Sequence, residues 1–427
     1  MAQFSKKERL IASVLSATPQ LKVFIKKIYV YFSYCLHRKS YKNLVLNLKR
    51  EIQLIDPLNS NDETFFGYYD KSPESKSGLV IFNETKLPTS KKPSSNQPLW
   101  IYVADATGNV LPIDYTLSYT WQQGCRAQWV SDHRLIYNFF DEKALNYKSA
   151  LYDCRSKKVE RIFGFPVQDS FGEEYFLSIN YARIMNLRPD YGYRNLPLLT
   201  DEEMSRLDND GIWKVDFSTG QSNLIVSIEH LVNLDPKPTF KDAQHKVNHV
   251  MISPDGSGFI FIHRWYVGRR RYDRLVYSDF KTLKILASED MVSHMCWVDS
   301  NTLFGYLRYG GKNGFYFIDL QTGKVTPCDT LTNLGNGDGH PSVWNEWIVI
   351  DTYPDKSRLQ HLYLYNKNTD KVYPIVEVFQ GLRFQGESRC DMHPRFSPDG
   401  TKLYFDTVFT GKRRLAYIDV SSITNLI

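Results

Sequence analysis

The sequence has no cysteine pair at CxxC spacing: Cys35, Cys125, Cys154, Cys296, Cys328 and Cys390 are scattered along 427 residues. That pattern excludes a thiolate zinc site and reads as a reduced, cytosolic chain. Motifs for binding phosphates or building a serine nucleophile are missing too. There is no GxxxxGK[ST], GxGxxG or GxSxG, and no DxD pair placed as a nucleotide site needs, so kinase, dehydrogenase and esterase signatures are absent. Long apolar runs are also lacking. Lys6-Lys7-Glu8-Arg9 followed by Leu10 to Ala17 imitates a secretion signal, but the run is short and Glu8 interrupts its charged end, so secretion is not the expectation. An excess of positive charge is lacking outside the first fifty residues. Residues 1–50 hold eleven Lys or Arg and one acid, whereas the other 377 hold 42 bases and 46 acids, which argues against a nucleic-acid-binding body.

What is abundant is aromatic residues, 28 Tyr and 25 Phe, which suit many half-buried strands and exclude wholesale disorder. They fall into repeats. In the clearest one, His393 heads a short strand, Ser397-Pro398-Asp399-Gly400 forms a tight turn, and Leu403 to Asp406 returns with strand alternation. Asn248-His249 to Gly256 is a near copy, and looser ones surround His294 and His340. The steps from His249 to His294, His340 and His393 are 45, 46 and 53 residues, the period of a β-propeller blade. Earlier blades start near Gly67, Trp121 and Tyr175, and Lys86 to Pro98 reads as a flexible loop. The expectation is an all-β, seven-bladed propeller over residues 51–427. Strand 51–56 pairs with the last blade, which lacks its outermost strand.

Residues 1–50 read as a basic amphipathic helical extension. Leu21, Phe24, Ile25, Ile28, Phe32, Cys35 and Leu36 form an apolar stripe, with Lys22, Lys26, Lys27 and Lys39 mostly off it. The stripe is too short and lysine-rich to cross about 30 Å of hydrocarbon. It fits either an anionic membrane face or the propeller's own side. The first placement makes the chain cytoplasmic and peripheral to the inner membrane.

In a propeller the first strand of every blade lines the central channel, so residues heading those strands converge. Here they include Tyr68, Tyr69, Asp70, Lys71, Gln122, Gln123, His249, His294, Asp338, His340, Asp391 and His393. His340, Asp391 and His393 offer N and O donors suited to Mn²⁺ or Zn²⁺. Tyr69, Lys71, Gln122, Gln123 and His249 are candidates to bind substrate. Arg264 and Arg269 offer forks for carboxylates, and Trp121, Tyr193 and Trp265 offer faces for sugars. Arg413 and Arg414 read as a solvated loop.

Assembled in this way, Gly67-Tyr68-Tyr69-Asp70-Lys71-Ser72-Pro73, Trp121-Gln122-Gln123-Gly124-Cys125, Ser293-His294, Asp338-Gly339-His340-Pro341 and Cys390-Asp391-Met392-His393-Pro394 resemble the oligogalacturonate-lyase-type propellers, including relatives from surface-polysaccharide clusters. The resemblance spans about residues 62–420. It implies an enzyme acting on acidic, uronate-containing polysaccharide by metal-assisted β-elimination, with Mn²⁺, or else Zn²⁺ or Ca²⁺. It makes His340 and His393 ligands, His294 the base and Arg264 or Arg269 its helper. Asp391 stands where the family has the first histidine of a second His-Pro pair, which keeps a ligand but changes its type. Removing a proton next to a carboxylate needs a cation and a base, which is what these residues provide. Two other readings fit the same residues: a capsule or O-antigen assembly protein, glycosyltransferase-like or accessory, at the cytoplasmic membrane face, and a non-catalytic glycan-binding scaffold.

Overall fold

The computed structural model describes residues 19–424, with side chains from Ile25 onward, so the expectation for Lys6 to Ala17 lies outside the described residues. Seven antiparallel sheets follow one another around a ring and make a seven-bladed propeller. Blades one to seven span 63–116, 128–163, 169–227, 244–287, 292–327, 342–379 and 395–419.

Local turn chemistry explains much of this. In blades four and seven the Ser-Pro-Asp-Gly turns hold Gly256 and Gly400 at φ +71°, where a Cβ is unfavourable. The serines lock the turns, with Ser253 Oγ donating to Asp255 at 2.6 Å and Ser397 Oγ to Asp399 at 2.5 Å. Middle strands such as Phe259–Val267 and Trp347–Asp351 are buried almost throughout, because each blade is packed on both faces by its neighbours.

The ring is closed from the N-terminal side. Gln53–Ile55 pairs antiparallel with Arg414–Asp419 and supplies the outermost strand of blade seven. Asn43–Val45 adds a fifth strand to blade six by pairing with Lys371–Phe379, so residues 43–45 extend a blade, whereas the sequence placed them in the helical extension. Helix α1, Pro19–His37, precedes this strand. Tyr34 packs on Phe379 at 5.6 Å, and Tyr41 donates to Glu377 at 2.5 Å.

Two loop readings need correction. Residues 86–98 are pinned, since Thr89 is fully buried and donates to Glu63 at 2.6 Å, and Trp121 donates to the Lys91 carbonyl at 2.7 Å. Arg413 and Arg414 are buried, because Arg413 spans to the Trp121 carbonyl at 3.0 Å and the Arg389 carbonyl at 2.8 Å and so ties blade seven to the segments beside it.

Candidate functional site

The site forms where inner strands break their ladders. His249 is interior to its strand, Gln244–Ile252, at a register shift between Asn248 and Met251, and has φ +54°. Arg126 and His393 have the same left-handed backbone, φ +57° and +47°, beside the inner strands of blades two and seven. Such a conformation costs a non-glycine residue on the order of 1 kcal/mol, and the surrounding ring must hold it in place. Its effect is to free these side chains from the strand's ordinary alternation.

Four histidines and two tyrosines consequently meet. Ring centroids are 4.0 Å apart for His294 and His340, 4.3 Å for His340 and His393, and 5.5 Å for His249 and His294. Tyr68 shares a 2.5 Å hydrogen bond with His249 Nδ1, and Tyr69 donates to the Met295 carbonyl at 2.8 Å. Burial, then the neighbouring imidazoles, holds His294 well below the usual histidine range, so its ring is neutral.

His340, Asp391 and His393 present one ligand atom each within 4.8 Å of one another. His340 Nε2, His393 Nε2 and Asp391 Oδ1 are buried without a hydrogen-bond partner, while the other ends of all three groups are held. His340 Nδ1 lies 2.9 and 3.0 Å from the two oxygens of Asp351, and His393 Nδ1 lies 2.9 Å from the Gly67 carbonyl. Asp391 accepts from Arg389 at 2.8 Å. Donating from Nδ1 leaves each Nε2 lone pair free, the tautomer a metal ligand needs. Burial alone would depress His340, but the Asp351 carboxylate outweighs it and raises its affinity for positive charge. Asp351 also accepts the backbone N–H of His340 at 2.7 Å and of His393 at 3.1 Å, so one carboxylate positions both histidines. These residues fit a divalent cation.

Next to this cluster lies a pocket of about 830 Å³, with His249, His294 and Tyr353 among its lining residues. Tyr353 and His294 also touch His340, at 5.9 and 4.0 Å, which places the triad directly behind the lining. Six basic side chains, Lys26, Arg188, Arg264, Arg271, Lys356 and Arg358, line it against the two acids Asp338 and Asp355, a balance that favours anions. Arg264 and Arg271 share Asp273, with Arg271 Nε at 3.1 Å. Lys26, Tyr29, Val30 and Ser33 of α1 form part of the wall, so the helix lies against the pocket.

Strand alternation sorts the predicted residues. Arg264 pairs in register with Asp273, and Trp265 with Tyr272, on opposite faces of blade four. Arg264 therefore reaches the pocket. Trp265 is 1% exposed, stacks on Tyr272 and donates to Thr239 at 3.0 Å, leaving no face for a sugar. Trp121 and Tyr193 are likewise buried. Arg269 sits exposed at the hairpin tip, and Arg271, two residues on, is the one that lines the pocket. Lys71 is neutralised by Asp169 at 2.5 Å, and Gln122 donates to the Arg389 carbonyl at 3.1 Å. With Gln123 also buried, these three brace the fold and do not line the pocket. Tyr69 touches His294 and His340 at 5.7 and 5.4 Å without lining it.

The sequence reading missed Asp351, Arg188, Tyr191, Arg271 and Lys246. Arg188 and Tyr191 come from the insertion between Tyr175–Ile179 and Gly211–Asp216, where a charged and aromatic run was the available signal. Lys246 faces Arg264 in register, is fully buried and has no partner for its Nζ. Burial, then Arg264, holds it well below the usual lysine range.

No family model and no curated protein matches the sequence. Solved structures do. An oligogalacturonate lyase in complex with manganese is 15% identical, with a TM-score of 0.54, covering 88% of this chain and 97% of its own. The oligogalacturonate lyase of Vibrio parahaemolyticus is 14% identical, with a TM-score of 0.56, covering 88% and 98%. The β-propeller domain of the Trilobed protease from Pyrococcus furiosus is 11% identical, with a TM-score of 0.48, covering 83% and 96%. At these identities the likeness is one of fold: the chain is a seven-bladed β-propeller.

Proposed function

We propose that the protein is a lyase that cleaves uronate-containing saccharides by β-elimination. The observation that carries this reading is that His340, His393 and Asp391, whose ligand atoms lie within 4.8 Å of one another, each keep a buried, unpartnered ligand atom beside a basic pocket. Those residues would hold a divalent cation, with Zn²⁺ and Mn²⁺ suited to two imidazoles and a carboxylate, and Ca²⁺, which takes oxygen ligands, disfavoured. When bound, the cation supplies the positive charge that neutralises a uronate carboxylate and acidifies the adjacent C–H.

The chain's own residues do the rest. Arg264, Arg271 and Arg188 bind and orient the anionic saccharide, the first two held by Asp273. His294, neutral and lining the pocket, accepts the C5 proton. The C–H electron pair becomes the C4–C5 double bond as the C4–O bond breaks, and the departing oxygen takes a proton from water. Helix α1 covers part of the pocket and limits solvent there. The solved oligogalacturonate lyases of the same fold, one a manganese complex, support this reading.

The test is metal analysis of purified protein together with incubation on polygalacturonate, glucuronan, alginate and their short oligomers, reading the ultraviolet absorbance of 4,5-unsaturated uronate. Unsaturated product that disappears with chelation is expected. Consumption of a nucleotide sugar in place of such product would establish the assembly reading, and binding without turnover the scaffold.

A further inference from the structure

Helix α1 has two apolar sides, and only one is used. Tyr29, Val30 and the buried Ser33 face the pocket. The stripe read from the sequence turns the other way: Ile28, Phe32 and Leu36 are 40%, 61% and 81% exposed, with Tyr31 at 55% beside them. Exposed Lys27, Arg38 and Lys39 flank that stripe, and Leu44, in the strand after the helix, adds another exposed apolar side chain. No helix among the described residues is long and apolar enough to cross a membrane.

We propose that the outer face of α1 docks on an anionic lipid surface, so that the pocket end of the propeller faces the bilayer. Three features favour lipid over a protein partner. The apolar stripe is one helix wide and exposes four large apolar side chains, Ile28, Tyr31, Phe32 and Leu36, against the roughly 20–30 residues a protein contributes to a standard interface. Its edges are cationic, and residues 1–50 carry eleven bases and one acid, whereas the rest of the chain carries an acidic excess. Lysines beside an apolar stripe can keep their stems in the interface and their charges at the headgroups. The helix is also fixed to the ring on both sides of residue 38, through Tyr34 on Phe379 and Tyr41 on Glu377, so lipid contact would orient the whole propeller. This inference is independent of the chemistry in the pocket.

Co-sedimentation of the full chain with vesicles of phosphatidylcholine alone and of phosphatidylcholine mixed with phosphatidylglycerol tests it. The expected result is binding to the mixed vesicles only, weakened by salt and reduced about tenfold or more by Phe32→Asp or Leu36→Asp. Melting temperature and metal content should stay unchanged in both variants, because neither side chain packs on the ring. A polarity-sensitive dye on the exposed Cys35 should shift to the blue with the same vesicles. Equal binding to both vesicle types would overturn the anionic part, and binding to neither would overturn the proposal. A concentration-dependent dimer abolished by the same substitutions would assign the face to a second copy and also overturn it.

Discussion

Blade four contains a second histidine cluster, and it differs from the channel cluster in one respect. His263 Nδ1 accepts from Arg274 Nε at 3.0 Å, its Nε2 meets His245 Nδ1 at 3.0 Å, and the Phe240 backbone bonds His245 in turn. The chain of tautomers is closed, and Phe240 and Trp265 pack over it. In the channel, His340 and His393 are equally buried and closer together, with ring centroids 4.3 Å apart against 5.2 Å, yet each keeps an Nε2 without a hydrogen-bond partner, and Asp391 lies beside them. Proximity of histidines therefore does not define a site. An unanswered set of lone pairs does, because leaving several buried polar atoms unpaired costs about 1–3 kcal/mol each unless a ligand answers them.

Substituting one member of each cluster breaks the comparison most sharply. His340→Ala or His393→Ala should abolish stoichiometric metal, read by elemental analysis, and lower turnover by about 10³-fold or more. His263→Ala should lower the melting temperature and leave metal content intact. Metal retained in both channel variants would erase the distinction. Next in size, His294→Ala should cost about 10² to 10⁴ in turnover on an accepted uronate with metal still bound, separating a proton acceptor from a ligand. Loss of the ion in that variant would make His294 a fourth ligand.

Acidification should sort the clusters by stability. Burial, then Arg274 and Arg183, lowers His245 to about 4 in the fold, below the ordinary value of 6.5. Its unfolded form binds a proton first, so its contribution is complete above pH 6.5 and is lost as pH falls toward 4. The loss is about 3 kcal/mol in all at about 1.4 kcal/mol per unit. Chemical denaturation across this range should show that slope reduced in His245→Gln. An unchanged slope would place the titration elsewhere. The smallest expected effect is that of Asp351→Asn, which keeps the shape but weakens the hold on both ligands. Metal affinity should drop about 10- to 100-fold by titration, with the fold retained.

The propeller was legible because its evidence is local and repeated. Ser-Pro-Asp-Gly turns, alternating strands and histidines recurring at 45 and 46 residues depend on neighbours in sequence, and the sheets fall where those signals do. The grouping of His340, Asp391 and His393 was legible for a related reason: inner strands converge in any propeller, so a candidate ligand set could be assembled on paper. Arg264 was separated from Arg269 and Trp265 only by knowing where the hairpin turns, since a shift of one residue exchanges the faces of a strand.

The sequence by itself determined the blades, the closing strand, the basic first fifty residues and the histidine register, since each follows from a repeat, periodicity or composition. Only the tertiary structure decided which polar atoms remain unpaired. Asp351 lies on the second strand of blade six and bonds His340 and His393 at the entries to blades six and seven, Arg188 arrives from an insertion in blade three, and Tyr29 from a helix beside blade six. Left-handed backbone at His249 and His393 cannot be read from residue type, because the ring imposes it. The same holds for α1: an amphipathic stripe specifies that one face is apolar, whereas packing decides that the opposite face meets the pocket and leaves the stripe outward.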